Sequence, residues 1–446
     1  MAMFNKINEL LENKLYIEAR REIAEMNPVD IAVLIEEFPK DERNKIFRLL
    51  PKSLAADVFS YLPIELEQDI IIALSDKEAG HILDNLNADD AAALIDEMPA
   101  NVVKKLLANA DPETRRDINH LLQYPDDSAG SIMTVEFMDL KESYTVEQSL
   151  RKIRMEGIDK ETINTCYILN PHRRLLGAIS LRRLLLSDPV EKMSNIMEDH
   201  VISVSTQTDQ EEVAQLFQKY DFTSIPVVDS EGRLVGIITV DDIVDILQQE
   251  ATEDIEKMAA ITPTDKPYMK TGVLETWKKR IPWLLILMIS ATFTGRIISH
   301  YEAALASYVV LTAFIPMLMD TGGNAGSQAS VSIIRGLSLN EIDYSDTLKI
   351  LLKELLVGIL IGATLAVANF VKLLVIDRVT VTIAAVVCLT LIVTVVFAKL
   401  VGCSLPVLAK RLGFDPAVMA SPFITTIVDA LSLMMYFKIA GAILHI

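Results

Sequence analysis

Asp429 is the residue with the clearest chemical consequence. It lies in DPAVMASPFITTIVDALSLMMYF (residues 415–437), near the middle of an apolar run, after Thr425 and Thr426 and with Pro422 opening the local helix. An ionised Asp at bilayer depth costs about 2.5–3.5 kcal/mol on insertion scales, so it requires a partner. Basic residues at matching depth are few, with Lys399 and Lys438 lying toward the span ends. A bound cation is the natural alternative, and a two-fold dimer would bring two copies of Asp429 around one ion. Two carboxylates beside a water-filled axis suit Mg2+, which prefers oxygen ligands and gives up its hydration water reluctantly. The competing chemistry is a protonated Asp hydrogen-bonded between helices, or a proton relay.

A second unusual run, AFIPMLMDTGGNAGSQASVSIIRG (313–336), carries Pro316, Gly322, Gly323 and Gly326. Proline and clustered glycine are expected to weaken this helix, and freed carbonyls survive at membrane depth only against protein or a water-filled cavity. Gly322, Gly326 and Ser330 recur every fourth residue, which also fits close helix packing through small residues. Packing does not account for Asp320, Asn324 and Gln328, which recur every fourth residue on a neighbouring stripe. The reading is a cavity-lining helix. Asp320, Asn324, Gln328, Ser421, Thr425 and Thr426 are the candidate lining residues.

The elements that hold these residues follow from composition and hydropathy. Of 446 residues, 51% are hydrophobic and 23% charged. Residues 1–270 carry 51 Asp/Glu against 29 Lys/Arg, a net of −22, and residues 271–446 carry 10 against 13, a net of +3; together they give −19. The acidic balance argues against nucleic acid as a partner. Cys166, Cys388 and Cys403 show neither CxxC spacing nor pairing, against a disulfide scaffold or cysteine metal site. The polar N-terminus reads as helix rather than a cleaved leader. Five apolar runs of membrane length are expected at 281–299, 303–334, 350–376, 379–406 and 416–445. Lys278, Lys279, Arg280, Arg335, Lys349, Lys353, Lys410 and Arg411 fall on one face, against Arg296, Lys372 and Arg378 on the other. That asymmetry predicts a cytoplasmic N-terminal part and an extracytoplasmic C-terminus in the cell (inner) membrane.

The acidic part contains two repeats. Pro39, Pro51, Pro63, Ser75, Asn87 and Pro99 are each 12 residues apart, and each follows an apolar residue: Phe38, Leu50, Leu62, Leu74, Leu86 and Met98. Twelve residues fit one short helix and its turn, giving a small helical superhelix. Further on, SIMTVEFMDL at 131 matches NIMEDHVISV at 195, a step of 64 residues. Each copy continues as helix, apolar strand pair and closing helix, as in TSIPVVDSEGRLVGIITVDDIVDIL. This resembles a tandem pair of CBS domains, which implies an adenine nucleotide such as ATP as a ligand. The ribose-contacting pattern of that family, a hydroxyl followed three residues later by Asp, is present as Thr239 and Asp242. In the first copy Ser180 is followed by Arg183, so that copy departs from it.

Between the second copy and the first span runs LQQEATEDIEKMAAI, an acidic helix in which Glu250, Glu253 and Asp254 share a face. Like charges so concentrated repel, and a divalent cation removes the repulsion.

Taken whole, the chain resembles the MgtE family of magnesium channels across essentially its full length, most specifically in TGGNAGSQAS, EATEDI and DPA…SPFITTIVDALSL. The resemblance implies a multi-domain protein: a cytosolic all-α superhelical N domain (1–129), an α/β tandem CBS pair (130–248), an acidic connecting helix (249–272) and a five-helix transmembrane pore domain (273–446). It implies a homodimer, an ion path on the two-fold axis, Mg2+ bound at Asp429, and closure by cytosolic Mg2+. Its sensor carboxylates match Asp89, Asp209, Glu211, Asp221, Asp242, Glu250, Glu253, Asp254 and Asp415. A second N-domain Asp one turn after Asp89 is Ala93 here, and Asp90 is expected to point to another face.

The expected activity is therefore a magnesium-selective channel for Mg2+ uptake, not an enzyme, and no GxxxxGK[ST] is present. The rivals are a less selective divalent-cation (Co2+ or Mn2+) or proton-coupled transporter, and a membrane-anchored nucleotide or metal sensor without a pore.

Overall fold

The computed structural model describes residues 2–264, 266, 268–419 and 421–445. The chain divides into two compact units, 1–247 and 248–446.

The first unit opens with helices α1–α10 at Ala2–Glu12, Tyr16–Ala24, Pro28–Glu37, Lys40–Leu49, Lys52–Phe59, Ile64–Ala73, Asp76–Leu83, Ala88–Asp96, Ala100–Asn109 and Pro112–Leu121. The residue preceding α3 through α10 is Asn27, Pro39, Pro51, Pro63, Ser75, Asn87, Pro99 and Asp111, so the 12-residue step extends one repeat further at each end than the proline spacing alone suggests. Two of these helix starts carry a side-chain cap. Asn27 accepts a hydrogen bond from Val29 N at 3.0 Å, and Ser75 and Glu78 form a reciprocal capping box. From α3 to α10 each helix packs on the next but one, the superhelical arrangement expected. Phe38, Leu50, Leu62 and Met98, just before the helix starts, are buried in its core.

Two three-stranded sheets follow. The first holds β1 (Phe137–Lys141), β2 (Thr162–Leu169) and β3 (Leu175–Ser180), with α11 (Val146–Glu156), α12 (Leu181–Leu186) and α13 (Met193–Ile196). The second holds β4 (Val204–Ser205), β5 (Ser224–Val228) and β6 (Leu234–Thr239), with α14 (Gln210–Tyr220) and α15 (Val240–Met258). In each, the first strand is parallel to the second and the second antiparallel to the third. The copies exchange edges: Thr134, entering the first, bonds Ile237 of β6, and Glu198, entering the second, bonds Ala178 of β3. A Cβ at Gly236 would meet Thr134 O at 2.7 Å, and one at Gly177 would meet Glu198 O at 2.7 Å, so only glycine admits these crossings. The second copy shares one apolar core with the N-terminal helices, whereas the first copy has its own.

The second unit begins inside α15, whose last turns precede α16 (Val273–His300). Then come α17 (Glu302–Ser307), a 3-10 segment Val309–Phe314, α18 (Ile315–Ser338), α19 (Thr347–Val375), α20 (Val381–Arg411), a 3-10 turn Pro416–Met419 and α21 (Ser421–Leu444). Among the described residues four helical segments are long and apolar enough to cross a membrane: Val273–His300, Thr347–Val375, Val381–Arg411 and Pro416–Leu444. The expected run 303–334 is instead broken into a short helix, a 3-10 segment and the 24-residue α18, whose small and polar residues keep it outside that set.

α18 itself is not weakened as expected. Pro316 sits in its first turn, where a missing N–H costs nothing, and the helix runs unbroken through Gly322, Gly323 and Gly326. The glycines serve packing. A Cβ at Gly402 of α20 would lie 2.2 Å from Gly326 O, and one at Gly322 would lie 2.7 Å from Thr394 Cγ2. α18 is thereby held against both α20 and α21.

Candidate ion pathway and acidic switch region

The two helices that carry the unusual polar residues lie side by side. Gly322 faces Val428 and Ser432 of α21, Gly323 faces Thr425, and Gly326 faces Ile424, so numbers rise along one helix as they fall along the other. The pair is antiparallel. One turn before Gly323 is Asp320, and one turn after Thr425 is Asp429, which puts the two carboxylates on the same level; Asp320 is the charge that acts on Asp429. Oδ1 of Asp429 is buried and has no hydrogen-bond partner, and among the described residues no basic side chain pairs with either Asp. Lys399 is occupied elsewhere. Its Nζ lies 3.6 Å from Oε2 of Glu354 on α19, with Lys399 buried and Glu354 mostly so, and Lys438 is exposed. Glu354 escaped the sequence reading because nothing in its spacing points to Lys399.

Asp320, Asn324 and Gln328 are all exposed on the unit, on the face opposite the buried glycines, and Ser332 and Arg335 continue the stripe. Small-residue packing and a polar stripe are thus not alternatives: α18 has one face for each. Thr425 is half-buried against Gly323, and Thr426 donates to Pro422 O at 3.1 Å within its own helix. Ser421 opens α21, but its side chain lies outside the described residues.

The connecting helix α15 meets the elements that bracket these helices. Met258 packs against Ile334 of α18 and Ala417 of the turn before α21. One turn earlier, Ser338 of α18 donates to Asp254 Oδ2 at 3.3 Å. Lys257 Nζ lies 2.6 Å from Glu253 Oε1 and 2.6 Å from Asp415 Oδ2, while Asp415 Oδ1 accepts from Ala417 N at 2.7 Å. Burial, with Asp415 close by, holds the Asp254 carboxyl above the usual range, while the bonds to Asp415 and Glu253 outweigh burial and push the Lys257 ammonium up. Glu253, Asp254 and Asp415 therefore lie close together around Lys257. Lys257 among them was missed, although its i,i+4 spacing from Glu253 was a usable signal. Glu250 lies a turn before Glu253 on the same helix.

In the first unit a second acidic cluster forms where α8 meets the start of α15. Burial is the main cause holding the Asp89 carboxyl well above the usual range, with Asp90 and Asp242 adding to it. Burial and then Asp242 push Asp90 up to about 6. Asp242 is thus among the charges that raise both Asp89 and Asp90, and Ala93 is exposed. Glu161, which accepts from Asn87 Nδ2 at 2.5 Å, is pushed up to about 7 by burial and by Asp241 and Asp242. Glu67 is pushed up to about 8 by burial and by Asp90. Glu67 and Glu161 were not among the sequence candidates, because their convergence depends on how helices and sheets pack.

The remaining candidates are spread out. Asp209 caps the start of α14, accepting from Glu211 N at 2.9 Å, and Asp221 closes the other end in a left-handed conformation (φ 55°). Twelve residues of helix separate them by roughly 18 Å, so one ion cannot bridge Asp209 and Asp221 within a chain. At the nucleotide pattern, Thr239 Oγ1 donates to Asp242 Oδ2 at 2.7 Å, so hydroxyl and carboxylate satisfy one another. Ser180 instead caps α12, accepting from Arg183 N at 3.2 Å. No three His, Cys, Asp or Glu side chains among the described residues are grouped so as to hold a metal ion.

Comparison with known proteins agrees with this architecture. The model of the MgtE family, described as a divalent cation transporter, matches residues 315–439; that of the MgtE intracellular N domain matches 26–127, and that of the CBS domain matches 193–249. The magnesium transporter MgtE of Thermus thermophilus is 39% identical over 430 residues, 96% of this chain and 95% of the relative. That of Bacillus subtilis is 34% identical over 440 residues, 98% and 96% of the two chains. Among solved structures, the cytosolic domain of the Mg2+ channel MgtE in complex with ATP superposes with a TM-score of 0.53 at 39% identity, covering 55% of this chain and 99% of that one. The soluble part of a magnesium transporter gives a TM-score of 0.53 at 30% identity, covering 56% and 98%. These relatives are transporters, not enzymes. A helical N-terminal domain, a CBS module and apolar membrane-length helices bearing the α18 and α21 motifs, matched along nearly the whole length of both relatives, place this chain in the MgtE family of magnesium transporters.

Proposed function

We propose that the protein is a magnesium-selective channel whose ion path is formed by α18 and α21 at the two-fold axis of a homodimer, with Asp429 as its principal Mg2+ ligand and Asp320, Asn324, Gln328, Ser421, Thr425 and Thr426 lining it. The observation that carries this reading is the buried, unpartnered carboxylate oxygen of Asp429 beside a second acidic residue in a membrane-length bundle. Hydrocarbon does not stabilise such a pair, whereas a hydrated divalent cation does. A homodimer doubles the carboxylates and lets a second copy and water, rather than lipid, meet the exposed polar stripe of α18.

Cytosolic Mg2+ closes the channel in this reading. Asp89, Asp209, Glu211, Asp221 and Asp242 in residues 1–248, and Glu250, Glu253, Asp254 and Asp415 around the connecting helix, carry charge that repels when unneutralised. The raised carboxyl groups of Asp89, Asp90 and Asp254 are the signature of that repulsion and of burial. Several weak sites acting jointly shift the open–closed balance steeply, each by its difference in affinity for the two states. Domain limits at 129, 248 and 272, a fifth span formed by α18, an N-terminal part in the cytoplasm and an extracytoplasmic C-terminus complete the reading. The cytosolic domain of a relative has been solved with ATP, and an adenine nucleotide fits the CBS pair of this chain at Thr239 and Asp242. There Thr239 must exchange its bond to Asp242 for one to the ribose.

Recording from purified protein in planar bilayers, wild type against Asp429→Ala over a range of cytosolic Mg2+, tests the assignment. Loss of current in the variant and closure of the wild type by Mg2+ are expected. Equal Mg2+ conduction by both removes Asp429 from the path.

A further inference from the structure

The position of Asp320 beside Asp429 gives it a role distinct from that of the other lining residues. We propose that Asp320 is a specificity-determining residue of the ion path, the second fixed charge that makes the path prefer divalent over monovalent cations. This inference rests on the channel reading above.

Three observations carry it. First, the antiparallel fit of α18 on α21, set by Gly323 against Thr425 and Gly326 against Ile424, brings Asp320 level with Asp429. Second, neither carboxylate has a basic partner among the described residues, and Lys399, the buried lysine of the bundle, is committed to Glu354. Third, Asp320 begins the exposed stripe that continues through Asn324, Gln328, Ser332 and Arg335, while the opposite face of α18 is buried against α20 and α21. Over 15 residues this stripe runs roughly 22 Å, most of a hydrocarbon thickness. An unpaired acid at the head of such a stripe is stable only where water or a cation reaches it.

Two neighbouring like charges raise each other's energy, and a cation between them relieves both at once. The relief is twice as large for a charge of +2 as for +1. At an effective dielectric of about 40, between the protein-surface and bulk-water values, one fixed charge about 6 Å from the ion is worth roughly tenfold in that preference. Asp429 supplies the contact, and Asp320 adds the field. Being exposed rather than wedged into the helix contacts, Asp320 can be altered without disturbing the glycine packing.

The test measures reversal potentials under Mg2+/Na+ bi-ionic conditions in bilayers containing the full-length wild type, Asp320→Asn, Asp320→Glu or Asp429→Asn. Size-exclusion elution verifies that each variant is folded. Asp320→Asn is expected to conduct with its Mg2+ over Na+ preference reduced roughly tenfold, and Asp320→Glu to keep the wild-type preference. A folded but silent Asp320→Asn beside a conducting, selective Asp320→Glu supports the same conclusion. Wild-type selectivity in Asp320→Asn overturns the proposal, as does an equal loss in Asp320→Asn and Asp320→Glu, which would assign the effect to shape rather than charge. If Asp429→Asn conducts like the wild type, the channel reading itself fails, an outcome separate from any result at position 320.

Discussion

Lys257 Nζ stands 2.6 Å from Glu253 Oε1 and 2.6 Å from Asp415 Oδ2, so one ammonium ties the connecting helix to the turn that introduces α21. A lysine thus sits where a divalent cation would be expected to act. Asp254 lies close to Asp415, so three carboxylates stand against a single fixed positive charge.

Replacing Lys257 with Met removes that charge and leaves Glu253, Asp254 and Asp415 facing one another. The groups are a quarter to a third exposed, so the cost is well below that of a fully buried pair, about 1–2 kcal/mol. Thermal unfolding of the purified protein in EDTA is expected to show a lower Tm than wild type. Added Mg2+ should raise the Tm of the variant by more than that of the wild type. An equal Mg2+ response in both would mean that lysine and metal do not act on the same carboxylates.

The acidic cluster around α8 predicts an unusual pH dependence. Asp90, Glu161 and Glu67 are pushed up to about 6, 7 and 8, and Asp89 and Asp242 are also raised. Folding thus favours their protonated forms, and stability is lost as pH rises from the ordinary carboxyl range through these values. Each group contributes at most about 1.4 kcal/mol per pH unit while it titrates, and solvent screening reduces this. Without divalent ions the protein should melt at a higher temperature near pH 5.5 than near pH 8. Mg2+ should raise the Tm at pH 8 and change it little at pH 5.5. A flat pH profile would show that the cluster is relaxed in solution.

Gly402→Ala places a methyl 2.2 Å from Gly326 O, a backbone atom that cannot swing aside. Overpacking of this kind costs about 1–3 kcal/mol and should separate α20 from α18. Lower yield of monodisperse protein and weaker Mg2+ current are expected. Gly295→Ala, where a Cβ meets nothing within 4 Å, serves as the control and should behave as wild type.

Lys399 and Glu354 form the buried ion pair of the bundle. Removing one partner leaves the other charged and buried, at a cost of about 3–5 kcal/mol, whereas replacing both by apolar residues is often neutral. Lys399→Met and Glu354→Gln should each reduce the recovery of folded protein, and Lys399→Met with Glu354→Met should restore it. Failure of the double variant to recover would assign the pair a role beyond pairing.

The sequence by itself determined the parts. The 12-residue step from Pro39 to Pro99, the 64-residue step of the sheet module and the apolar runs are patterns of local burial, and such patterns are written into neighbouring residues. The isolated acid of α21 was legible for the same reason, because its neighbours in the chain are apolar. Tertiary structure decided which distant groups meet. Asp320 comes level with Asp429 only because glycines let α18 and α21 approach in one register, and Lys257 finds Asp415 across 158 residues. Lys399 turns toward Glu354 through a helix rotation set by packing. Even the second apolar run, long enough on paper, breaks before Ile315. Hydrophobic periodicity says which face of a helix is buried, whereas the partner of a charge depends on what the opposite helix presents at that level.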